Sequence, residues 1–182
     1  MTREEMAARL LERAYLEGDF VLRSGRRSRY YLDKYRFETD PSLLAGLGRE
    51  LAALVGEHGG DPELLAGPEL GAVPLAAVTS IETGLAFVIV RKAAKDYGTA
   101  NRLEGVFSPG QRVCVVEDVV TSGGALLSAV EALREAELDV SAAICVVDRE
   151  EGGAEAIAAA GVPFQALYTT SELGVGATSS SA

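Results

Sequence analysis

The chain has 182 residues, 48% of them hydrophobic and 24% charged, which suits one folded domain with a sizeable core and excludes a disordered chain. A formal net charge of −10 at pH 7 argues against general nucleic-acid binding, and no apolar run approaches the length of a bilayer span. The charged, amphipathic N-terminus has no apolar signal core, so the expected location is the cytoplasm.

Thr2, with Glu5 three residues later, forms a capping box opening a helix through about Leu16, which Gly18 ends. Its stripe of Met6, Leu10, Leu11 and Ala14 needs a partner face. Phe20, Val21 and Leu22 lead into a basic segment, Ser24 to Phe37, in which Tyr30, Tyr31 and Leu32 read as a short strand. That segment is either a solvated basic hairpin or a lid offering cations and an aromatic face to a flat anion. Asp40-Pro41 starts a second helix, with Asp as N-cap and Pro at the first helical position, and Gly59-Gly60 stops it. The only histidine, His58, lies in its last turn, where it suits the negative end of the helix dipole better than catalysis.

Leu64 to Ala66 is a short strand, followed by the turn Gly67 to Gly71 and a helix that closes between Thr79 and Gly84. The turn is either a plain connection or a place where backbone amides meet an anion. Ala86 to Lys92 is the next buried strand. The polar stretch Lys92 to Gly105 is long enough to be a functional flap, with Arg91, Lys92, Lys95 and Arg102 as its cations, or else a solvated loop. Val113 to Val116 forms a buried strand, followed by Glu117 and Asp118, then Thr121, Ser122, Gly123 and Gly124, then a helix. Such a turn holds both ends of a sugar phosphate: carboxylates accept from hydroxyls or hold a divalent cation, and helix amides face the phosphate. Ser141 to Glu150 is another buried strand, ending in Asp148-Arg149; a short helix and a last strand, Phe164 to Tyr168, precede a Ser-rich tail. Cys114 and Cys145 lie within strand patterns as buried small hydrophobes.

Alternating strands and helices predict an α/β fold with a Rossmann-like parallel sheet flanked by helices. Ligands of such sheets bind beyond the carboxyl ends of the strands. The four candidate loops, Gly67–Gly71, Arg91–Lys95, Glu117–Gly124 and Asp148–Arg149, therefore converge on one edge.

With these residues laid out, VCVVEDVVTSGG resembles the phosphoribosyl-pyrophosphate (PRPP) signature of type I phosphoribosyltransferases. LRSGRRSRYYLD (Leu22 to Asp33), VRKAAKDYG (Val90 to Gly98) and VVDRE (Val146 to Glu150) resemble the N-terminal hood, catalytic loop and base-reading turn of the orotate branch. The resemblance implies a type I phosphoribosyltransferase fold, with a hood over residues 1–40 and part of 165–182, a PRPP-binding core over 41–164, and one structural unit. It implies transfer of the phosphoribosyl group from PRPP to orotate with Mg²⁺ in UMP biosynthesis, by a homodimer whose loop, about 92–105, reaches the neighbouring site. Lys95, Arg91 and Asp118 would be catalytic. Glu117 and Asp118 would bind the ribose hydroxyls and possibly Mg²⁺, which comes mainly through PRPP. Thr121, Ser122, Gly123, Gly124 and Ala125 would cradle the 5′-phosphate. Glu69, Leu70 and Gly71 would hold the pyrophosphate with Arg91, Lys92 and Lys95, across a non-proline cis peptide at Glu69–Leu70. Arg23, Tyr30, Tyr31, Thr121 and Arg149 would meet orotate, Tyr31 being the closer match for stacking. Three positions depart from the family pattern: Tyr97 stands where many members have His, Gly71 where many have Lys, and Arg29 where Pro is usual. The alternatives are a purine, xanthine or uracil phosphoribosyltransferase and a non-catalytic PRPP-binding regulator. A nicotinamide-binding Rossmann protein is disfavoured because no GxGxxG follows the first strand.

Overall fold

The computed structural model describes residues 1–21, 25, 27–93 and 102–175. Helix α1 (Arg3–Ala14) opens on the expected capping box: the Glu5 amide donates to Thr2 Oγ1 at 3.2 Å and the Thr2 amide to Glu5 Oε2 at 2.8 Å. It ends two residues earlier than expected. Tyr15, assigned to the helix from the sequence, instead begins strand β1 (Tyr15–Val21), which pairs antiparallel with β2 (Arg27–Leu32). Gly18 is no helix stop. It lies where the pairing register shifts between Glu17 and Phe20, and a Cβ there would sit 3.0 Å from the Phe20 ring.

A short helix that the sequence pattern did not reveal, α2 (Lys34–Glu38), follows the hairpin. Helix α3 (Pro41–His58) has Asp40 as N-cap, accepting from the Ser42 amide at 2.9 Å, and Gly59 as C-cap. Then come β3 (Leu64–Pro68), α4 (Ala72–Thr83), β4 (Ala86–Val90), β5 (Leu103–Glu104), β6 (Arg112–Val120), α5 (Gly124–Glu135), β7 (Asp139–Asp148), α6 (Gly153–Ala159) and β8 (Phe164–Thr169).

The main sheet has the order β5-β4-β3-β6-β7-β8. All pairings are parallel except β4 with β5, an antiparallel edge inside the stretch expected to lack regular structure. Chain order reverses between β3 and β6, so a crevice opens there at the carboxyl edge, the usual ligand position in open α/β sheets. Strand β6 shows why both faces are covered. Cys114 and Val116 join the core shared with Leu43, Leu47 and Leu51 of α3, whereas Val113 and Val115 join Leu126 and Leu133 of α5 on the other face. Each such fully buried Leu contributes about 1.5–3 kcal/mol relative to exposure.

Candidate active site

Strand β6 runs four residues beyond the expected Val116, so Glu117 and Asp118 belong to the strand and do not follow it. Central pairing carries this extension, since Glu117 faces Cys145 and Val120 faces Asp148 on β7. Both carboxylates are buried, at 6% and 1% exposure. Glu117 accepts from the Asp118 amide at 3.0 Å, and Asp118 Oδ1 accepts from the Val119 amide. Burial, reinforced by Asp118, pushes the Glu117 carboxyl up to about 8.

Two residues that no motif flagged complete this cluster from α2. Lys34 Nζ lies 2.6 Å from Asp118 Oδ2, and Glu38, 2% exposed, leaves its buried Oε1 without a partner. Burial, then the charge of Asp118, pushes Glu38 up to about 8 as well. Burial alone would pull Lys34 down, but Asp118, Glu117 and Glu38 outweigh it and hold the amine protonated. The available signal was Lys34 in the basic segment and Glu38 four residues on, a helical spacing that places both on one face.

After β6, Thr121 and Ser122 are exposed and Gly123 adopts φ +80 as N-cap of α5. No side chain caps this helix. Its first amides, beside Gly124 and Ala125, are therefore free to bind an anion, and their partial positive charge favours one. The turn between β3 and α4 repeats the device. Glu69–Leu70 is a cis peptide, as expected, and Gly71 is the N-cap of α4, also without a side-chain cap. A Cβ on Gly71 would collide with Asp118 Oδ2 and stand 2.7 Å from Glu38 Oε1, so the close packing of turn and carboxylates requires glycine. Glu69 is engaged sideways: its Oε1 accepts from the Lys92 amide at 2.6 Å, and its Oε2 lies 3.8 Å from Arg91 Nε. Arg91 Nη1 is buried and has no partner among the described residues. Arg102 closes the base of the flap, donating to the Arg91 carbonyl at 3.2 Å and to Ser128 of α5 at 3.0 Å.

At the end of β7 the Arg149 amide donates to the Val120 carbonyl at 2.9 Å, tying the turn after β7 to the loop after β6. The Arg149 side chain is only 8% exposed. It pairs with Glu151 at 3.1 Å, lies over the Tyr30 ring at 5.3 Å and donates to Tyr30 Oη at 3.3 Å, while its Nε is buried without a partner. Strand alternation separates the two tyrosines. Tyr30 turns inward, stacked on Tyr15 at 5.8 Å, and Tyr31 turns outward, 40% exposed, against Phe20 at 5.7 Å. Arg23, Lys95 and Tyr97 lie outside the described residues.

The structure thus brings Glu69, Gly71, Arg91, Asp118, the Thr121–Ala125 loop and Arg149 to one edge of the sheet. Buried carboxylates on the same edge as two uncapped helix starts and the largely buried Arg149 guanidinium suit a phosphorylated sugar and a planar anion.

Residues 36–164 match the phosphoribosyl transferase domain family. The chain is 51% identical over 156 residues to the orotate phosphoribosyltransferase of Methanocella arvoryzae, covering 86% of this chain and 87% of that one. Its fold is similar to crystal structures of Mycobacterium tuberculosis H37Rv orotate phosphoribosyltransferase. One, in complex with Fe(III) dicitrate, has a TM-score of 0.85 at 34% identity; another, in complex with PRPP, has 0.81 at 32%. Each comparison covers 95% of this chain and 99% of the other.

Proposed function

The chain belongs to the phosphoribosyltransferase family, in its orotate branch, and from that premise we propose how its own residues transfer the phosphoribosyl group of PRPP to orotate. The products are orotidine 5′-monophosphate and pyrophosphate. The orotate ring nitrogen gives up its proton to solvent or to the departing pyrophosphate and attacks the anomeric carbon, the bond from that carbon to the pyrophosphate oxygen breaks, and the electron pair leaves with the pyrophosphate. As in glycoside hydrolysis, positive charge develops on the sugar, so catalysis consists of neutralising the leaving group and holding the nucleophile in line. Orotate is acidic and needs no strong base, which fits a chain whose only histidine lies at the end of α3.

The observation that carries the assignment of residues is the meeting of four strand ends, those of β3, β4, β6 and β7, with the two uncapped helix starts. Glu117 and Asp118 take the ribose hydroxyls. Thr121, Ser122, Gly123, Gly124 and Ala125 take the 5′-phosphate. Glu69, Leu70 and Gly71 receive pyrophosphate by their amides, with Arg91 and Lys92 behind them and Lys95 closing over it. Arg149 faces the orotate carboxylate or a carbonyl, Tyr30 flanks the ring with Arg23, and Tyr31, on the outward face of β2, contributes less.

Among the described residues no group of three or more His, Cys, Asp and Glu side chains is arranged for a metal ion. Two carboxylate neighbours plus substrate phosphates are nonetheless a normal oxygen set for Mg²⁺. Mg²⁺ would be held by PRPP with help from Glu117 and Asp118, and when bound it supplies charge neutralisation at the pyrophosphate.

The architecture reads as a hood over 1–40 joined by part of 165–182, and a PRPP-binding core over 41–164, forming one unit. The Tyr168 hydroxyl donates to the Arg3 carbonyl at 3.1 Å and Arg3 reaches Glu172 at 3.4 Å, which supports joining the two ends. The assembly is a cytoplasmic homodimer whose 92–105 loop serves the neighbouring site; Ile81 and Val106, 80% and 88% exposed, are apolar surface for a second copy to cover. No helix among the described residues is long and apolar enough to cross a membrane.

The test is steady-state assay of Lys95→Ala with orotate, adenine, xanthine and uracil as acceptors. Turnover with orotate should fall by roughly a hundredfold or more while PRPP binding weakens modestly. Unchanged turnover removes the role of Lys95, and product from another base instead of orotate removes the acceptor assignment.

A further inference from the structure

Lys34 and Glu38 stand one turn apart on α2, yet both reach the crevice between β3 and β6. The Lys34 side chain is 32% exposed and that of Asp118 is 2% exposed, so the ammonium covers the carboxylate from the solvent side. Gly71 abuts the same carboxylate oxygen. Ammonium, carboxylate and the backbone of the 69–71 turn therefore meet at one atom, Asp118 Oδ2.

That meeting creates two difficulties for the reaction. A ribose hydroxyl reaching Asp118 Oδ2 must share that oxygen with the Lys34 ammonium, and the backbone of Gly71 crowds the same atom. A pyrophosphate settling on the turn meets the charge of Asp118 and Glu69 and the buried carboxyls of Glu38 and Glu117 at close quarters, and Glu69 is already held by Lys92 and Arg91. One movement of Lys34 resolves both. We propose that Lys34 is a donor-binding residue, parked on Asp118 in the free protein and transferred to the pyrophosphate of PRPP when the ribose hydroxyls take Asp118. The inference rests on the assignment of Asp118 to the ribose and of the 69–71 turn to pyrophosphate.

Lysine suits an exchange of this kind. Its charge is a point at the end of a flexible four-carbon stem, with three donors that can turn from one anion to another. Asp118 loses a cation but gains hydroxyl donors, and the ammonium gains a partner of higher charge. The incoming anion does not meet a bare carboxylate cluster during entry, because the cation leaves the acids only as the pyrophosphate arrives.

The test uses the full-length protein and two partial ligands, magnesium pyrophosphate and ribose 5-phosphate, measured by calorimetry alongside steady-state kinetics. Lys34→Met keeps the length of the stem and removes the charge. It should weaken pyrophosphate binding and raise the KM for PRPP, each by about tenfold. The KM for orotate should stay within about twofold, and ribose 5-phosphate should bind equally or more tightly because Asp118 no longer surrenders a cation. Lys34→Arg should recover most of the pyrophosphate affinity. Unchanged pyrophosphate affinity in Lys34→Met overturns the proposal, as does a parallel loss of both ligands with a lowered Tm, which would make Lys34 a structural partner of Asp118. If Asp118→Asn leaves ribose 5-phosphate binding unchanged, the ribose assignment falls and the exchange falls with it.

Discussion

The loop after β6 and the hairpin β1–β2 meet at Arg149, and they are held by different means. Strand β6 is central, paired on both sides by β3 and β7, with its apolar side chains buried on both faces. Glu117, Asp118 and the loop they lead into inherit that rigidity. The hairpin is a separate two-stranded sheet with a register shift, and it reaches the site through Tyr30 on Arg149 and the neighbouring α2 through Lys34 on Asp118. The end of the site proposed for the donor is thus part of the core, while the end proposed for the acceptor depends on a few contacts between elements. Disturbing the first should cost stability and donor affinity together, whereas disturbing the second should change affinity alone.

The largest effect should come from Asp118→Asn. It removes a buried charge that accepts from Lys34 and is the proposed ribose ligand, and it takes from Lys34 its carboxylate partner. Charged hydrogen bonds are worth about 1.5–3 kcal/mol, so the KM for PRPP should rise by roughly a hundredfold in initial-rate assays. A change under about threefold would separate the acid from the donor. Next is Gly153→Ala, at the start of α6. Its Cβ would collide with Val120 and the Thr121 carbonyl, and stand 3.2 Å from the Gly123 amide. A rigid loop cannot yield, so overpacking should cost about 1–3 kcal/mol in denaturant unfolding and weaken PRPP binding as well. If PRPP affinity falls while stability holds, the loop is as soft as the hairpin and the contrast fails.

Tyr30→Phe probes the other region. It deletes a hydroxyl that accepts from Arg149 at 3.3 Å but keeps the ring under the guanidinium. A loss of about 0.5–1.5 kcal/mol predicts a several-fold rise in the KM for orotate with unchanged Tm. Tyr31→Phe, on the outward face of the same strand, should change neither value. Equal effects at both tyrosines would mean that the alternation seen here does not decide which ring faces the base.

The same contrast explains what the sequence disclosed. Wherever a local structure is encoded by neighbours in the chain, it was legible: the turn into a helix after Thr121–Gly124, the helix starts, Arg149 at a strand end, the caps at Thr2 and Asp40. Elements whose identity depends on distant pairing were not. Tyr15 and Leu16 continue a helical stripe in sequence, but pairing with Leu32 and Tyr31 makes them strand, and Gly18 serves that strand's irregularity. Leu103 and Glu104 are a strand only because β4 offers an edge. Lys34 reaches Asp118 across 84 positions, a separation that no local motif spans.

Glu38 belongs to neither region alone, since α2 carries it from the hairpin side into the donor crevice, and it gives the smallest and most diagnostic effect. Its folded-state pKa of about 8 lies above the ordinary carboxylate value of 4.5, because burial and then Asp118 disfavour its charge. Between those values the folded protein holds a proton that the unfolded chain has released. Its contribution to stability is therefore complete below about pH 4.5 and declines as pH rises towards about 8. Glu38→Gln keeps a neutral group of the same shape and has no proton to lose. The variant should match the parent Tm near about pH 5 and exceed it by a few degrees near about pH 8.5, with Glu117 leaving a residual slope in both proteins. Thermal melts at the two pH values decide the matter. Parallel curves would mean that Glu38 is ionised in the folded protein, and that Lys34 is shared between Asp118 and Glu38.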